Sequence, residues 1–127
     1  LKLKQIQYEV DTWKRLIGFM IEENIHLKNR LSEVLKDVSD SNLLMEAEKY
    51  LATFIREDEL IDLLRNEMTE LEKLLVRETF EDGVLLKKIK LKVNKLRDDI
   101  SSSQKGFSKL KIDFDNFLNE YIFEGEK

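Results

Sequence analysis

The chain has no cysteine and no proline, and only four glycines among its 127 residues. Without cysteine there is no disulfide scaffold and no thiolate to bind a metal or attack a substrate. Sheets built from short strands need a turn about every ten residues, and the residues that make turns are scarce. No apolar run approaches the roughly 18 residues needed to cross a bilayer. Nor does the N-terminus have the charged-then-apolar layout of a secretory leader. A formal net charge of −4 is too mild to imply a polyanionic partner by itself. These absences make a cytoplasmic setting the default expectation. Opening on Leu1 rather than methionine points to a piece or a processed form of a longer chain.

What the chain does have is 42% hydrophobic and 38% charged residues in regular alternation. That mixture, without helix breakers, predicts long helices. The length suits one domain, so residues 1–127 are read as a single unit.

Three heptad trains carry the prediction. In the first, Leu3, Val10, Ile17, Asn24, Leu31 and Val38 take position a, while Ile6, Trp13, Met20, Leu27 and Val34 take position d. Every slot but Asn24 is apolar. The train stops at Ser39-Asp40-Ser41-Asn42, where Asp40 or Ser41 suits a helix N-cap. The second places Ala47, Phe54, Ile61, Met68 and Leu75 at a, with Leu43, Tyr50, Glu57, Leu64 and Leu71 at d. It closes near Glu81-Asp82-Gly83, a left-handed turn signal. The third runs through Leu86, Val93, Ile100, Phe107, Phe114 and Tyr121 at a, with Ile89, Leu96, Ser103, Leu110 and Phe117 at d.

These trains predict helices over about residues 2–38, 42–81 and 84–123. Short turns force neighbours antiparallel, so the expected fold is all-α: an elongated antiparallel three-helix bundle with left-handed coiled-coil heptad packing. One alternative stays open. Ser101 to Gly106 reads as a linker, with a possible capping box from Ser101 to Gln104, and a break there would give four helices. Unbroken heptad phase across the segment argues for continuity, because a loop has no reason to preserve it.

The polar seam slots fall at similar heights once the chain is folded about its two turns. Asn24 then faces Glu57 and Asp58, with Ser103 nearby, which predicts a polar core layer. Grouping them avoids leaving a buried amide unpaired, at about 1–3 kcal/mol. Such a layer fixes register, as single polar seam residues do in coiled coils.

Chemistry finds little else. Glu23-x-x-His26 has a di-iron spacing, but there is one histidine and it sits at position c, off the seam. No nucleophile elbow and no glycine-rich phosphate loop occur. The chain is therefore read as not an enzyme, with no cofactor, metal or small-molecule substrate. Lys87, Lys88, Lys90, Lys92, Lys95 and Arg97 form a basic stripe with no acidic residue between them. Antiparallel acidic neighbours Glu67, Glu70, Glu72, Glu78, Glu81 and Asp82 would neutralise it within the bundle. If they do not, the stripe is a contact for nucleic acid or an anionic membrane.

At the opposite end, Leu44 and Met45 gather with Phe117, Leu118, Tyr121, Ile122 and Phe123. One helical face cannot bury residues 121 to 123 together, which predicts an exposed apolar patch and a protein partner or a second copy. The leading expectation is a non-catalytic structural or protein–protein interaction module that self-associates through this end. Binding of nucleic acid or anionic membrane through residues 87–97 is the alternative.

Overall fold

In a computed structural model, which describes residues 2–125 and side chains as far as Tyr121, the heptad trains are three helices. They are α1 (Leu3–Asp37), α2 (Ser41–Glu78) and α3 (Leu86–Gly125). At 1.5 Å per residue they measure about 52, 57 and 60 Å. Their directions follow from the ion pairs. Lys14 meets Glu72 while Lys28 meets Asp58, so α2 descends as α1 rises. Lys92 meets Glu67, and the Tyr50 hydroxyl donates to the Asp113 carbonyl, which sets α3 antiparallel to α2. Arg97 with Glu9 and Lys111 with Glu23 rise together, so α1 and α3 are parallel. The result is an up-down-up bundle in which α2 packs closely on both neighbours and α1 meets α3 sparingly.

The seam residues make the core. Val10, Ile17, Leu27 and Leu31 of α1 are buried, as are Phe54, Ile61 and Leu71 of α2 and Ile89, Leu96 and Phe114 of α3. Each such side chain gains roughly 1.5–3 kcal/mol from leaving water, and heptad spacing puts all of them on one stripe of their helix. Helical propensity alone would not hold helices this exposed on their outer faces.

Asp40 caps α2, its carboxylate accepting from the Asn42 and Leu43 amides at 2.8 and 3.2 Å. The second connection differs from expectation. α2 ends at Glu78 rather than 81, and α3 begins at Leu86 rather than 84. Asp82 and Gly83 both adopt positive φ, 46° and 89°, which reverses the chain. Glu78 stands at the stop. It is buried, and its Oε2 accepts the Leu85 amide at 2.9 Å, just ahead of α3. A carboxylate turned inward to cap the next helix ends the apolar seam.

α3 runs unbroken through residues 101–106, so the four-helix alternative and its capping box do not form. Ile100 and Phe107 are buried on either side, seven residues apart. Only a continuous helix returns both to one stripe. Gly106 has open space around its α-carbon, so no packing requires glycine there.

Candidate functional site

A polar layer crosses the α1–α2 seam near mid-rod. Asn24 is fully buried at its a slot. Its Nδ2 donates to the Phe54 carbonyl at 3.0 Å and to Asp58 Oδ1 at 2.6 Å. The second oxygen of Asp58 accepts from Lys28 Nζ at 2.6 Å. The chain amide–carboxylate–ammonium thus leads from the dry core to a half-exposed ion pair. Two acceptors, Asn24 Oδ1 and Glu57 Oε2, are buried without a partner among the described residues.

Glu57 holds a d slot, and burial, followed by the neighbouring charge of Asp58, raises its carboxyl above the usual 4.5. A raised acid binds its proton more tightly folded than unfolded, so stability falls as pH rises from 4.5 through the folded value. Glu57→Gln is accordingly expected to raise the melting temperature at neutral pH, with the gain disappearing below pH 4.5. A thermal melt series over pH checks this, and an equal gain at every pH would contradict it.

Ser103 does not join the layer. It lies half-buried beside Leu60, Leu63 and Leu64, one helical turn along α2 from Glu57. Counting residues about the reversal at Gly83 sets Ser103 opposite Leu63, so this position one turn past Glu57 follows from the spacing itself.

The basic stripe divides. Lys92 pairs with Glu67 at 3.1 Å and Lys95 with Asp99 at 3.0 Å. Arg97 grips Glu9 of α1 with both Nε and Nη2, at 2.8 and 3.1 Å. Of the six acidic neighbours expected from α2 and its turn, only Glu67 serves. Glu72 turns to Lys14, Glu70 to Lys73 and Glu81 to Arg77. Lys87, Lys88 and Lys90 stay exposed, with no ion pair among the described residues.

The apolar end also needs correction. Phe117 and Leu118 are 4% and 5% exposed and belong to the core, so neither offers a contact surface. Phe117 lies 5.2 Å from Tyr50 and 6.2 Å from Phe114, within an aromatic cluster that seals α2 to α3. α2 supplied the rings Tyr50 and Phe54, which this face of α3 needed in order to be covered. Leu44 and Met45 remain exposed at 37% and 56%, and Tyr121 is partly buried. Ile122 and Phe123 lie outside the described side chains.

Nothing catalytic assembles around His26, which is exposed, while Glu23 turns to Lys111 at 3.1 Å. No group of three His, Asp or Glu suited to a metal occurs among the described residues. Sequence reasoning missed Glu78, yet a signal existed: 78 is the next d slot after 57, 64 and 71. Among the described residues, no helix is long and apolar enough to cross a membrane. Compared with known proteins, the chain matches no family model, no curated protein and no solved structure.

Proposed function

We propose that the chain is a non-catalytic structural or protein–protein interaction module that self-associates through the end of the rod at the α1–α2 turn. The observation that supports this is the exposure of Leu44 and Met45. They stand on the first turn of α2, at the height of Tyr121, while the seams beneath them are already filled. Apolar groups in such a position lose nothing by leaving the bundle surface and gain from a second apolar surface. A helical rod with filled seams and, among the described residues, no convergent acid–base pair fits assembly better than turnover.

Sedimentation velocity over a wide concentration range tests the reading. The parent chain should sediment as a dimer or larger, and Leu44→Ser with Met45→Ser should return it to monomer with its helical signal intact. A parent that stays monomeric at every concentration defeats the proposal.

A further inference from the structure

The other pole of the rod combines features that internal stability does not explain. α1 and α3 are parallel, so both N-termini lie here, with the α2–α3 turn between them. Neither helix has an acidic residue in its first turn. Lysines stand there instead: Lys2 and Lys4 around the start of α1, Lys87, Lys88 and Lys90 at the start of α3, all exposed. The positive end of a helix dipole disfavours cations, which normally collect at C-termini. Their placement therefore works against the fold. Lys2 and Lys90 line one shallow groove, so the two groups are contiguous. The anions nearby are few. Glu9, in the same groove, is held by Arg97, Glu81 is occupied by Arg77 and Glu78 is buried as a cap, which leaves Asp82.

Within this basic ring the turn presents Phe80, 84% exposed, and Val84, 75% exposed. On the solvent face of α3, Leu91 is 64% exposed and sits one turn beyond Lys87 and Lys88. Phosphate backbones of nucleic acid explain lysines but not protruding aliphatic and aromatic groups outside any stacking platform. A bilayer explains both: lysines meet the headgroup phosphates while the apolar side chains enter the headgroup–acyl boundary.

We propose that this pole, Phe80 and Val84 ringed by Lys2, Lys4, Lys87, Lys88 and Lys90, docks on an anionic lipid surface. The contact is peripheral and reversible, and it leaves the opposite end free for self-association.

Vesicle cosedimentation tests it with the full chain, comparing phosphatidylcholine alone with phosphatidylcholine containing phosphatidylserine. Binding should require the anionic lipid and weaken with salt. Lys87→Gln with Lys88→Gln should lower the partition constant about 25-fold, at about fivefold per lysine. Phe80→Ser should also weaken binding while circular dichroism stays unchanged, since the ring packs on nothing that folds the bundle. In the absence of vesicles the double lysine variant should be no less stable than the parent, because its charges oppose the helix dipoles. Equal binding to both vesicle types, or undiminished binding by either variant, would overturn the proposal. So would binding to a DNA duplex that persists in Phe80→Ser alongside indifference to phosphatidylserine, which would assign the lysines to nucleic acid.

Discussion

Phe114→Ala lowers the free energy of unfolding by roughly 3–5 kcal/mol in a urea titration. Phe114 is fully buried, meets Phe54 edge-on at 5.0 Å between ring centroids, and lies 5.2 Å from Tyr50. The guanidinium of Arg30 covers it at 6.0 Å while also pairing with Asp115. Removing the ring leaves a void that two helices cannot close, because Tyr50 and Phe54 are held by their own helix. A loss below about 1 kcal/mol would show that the cluster is not packed as described. Phe117→Ala belongs to the same experiment. On sequence alone that residue reads as a contact surface, whose loss would change association and spare folding. As a core ring at 4% exposure it must instead reduce stability.

Asp58→Ala is expected to cost about 1.5–3 kcal/mol, most of it because Asn24 is left buried without its charged partner. The partner of Lys28 disappears as well, but that pair is partly exposed and contributes less. The informative measurement is a double-mutant cycle. In an Asn24→Leu background Asp58→Ala should cost far less, since no buried amide remains to be orphaned. Asn24→Leu alone should raise the melting temperature, because it also removes the unpartnered Oδ1. It should at the same time broaden the distribution of oligomers or registers. Additive effects of the two substitutions would separate the residues energetically and remove the layer as a register device.

The physical origin of these effects explains what could be foreseen. Asn24 and Asp58 meet because α1 and α2 are joined by a three-residue link, Val38 to Asp40, which leaves little freedom in how far one helix slides along the other. Any pairing across that turn is nearly a matter of counting residues. The seven-residue link between α2 and α3 leaves more freedom. A count about Gly83 does set Ser103 opposite residue 63, beside Leu60 to Leu64, but it does not reveal that Glu78 folds inward onto the Leu85 amide.

Charge partners were harder to foresee than helices. Arg97 chose Glu9 of α1 rather than the acidic face of α2, because α1 and α3 run parallel at that height and long side chains bridge the gap between them. Heptad spacing places a charge on a helix face; it does not decide which of two neighbouring helices that face leans toward.

The amino-acid order by itself therefore determined three apolar stripes and the helices that carry them, narrowed the cap of α2 to Asp40 or Ser41, and favoured continuity of α3 across its serines through unbroken heptad phase. Each of these depends on residues within one or two turns of each other, where periodicity and local hydrogen bonding are decisive. Only the tertiary structure decided that Phe117 and Leu118 are core, that Glu78 caps α3, and that half of the basic stripe is neutralised while Lys87, Lys88 and Lys90 face solvent. Those outcomes depend on the relative rotation and slide of whole helices, which packing of distant side chains sets and no local pattern records.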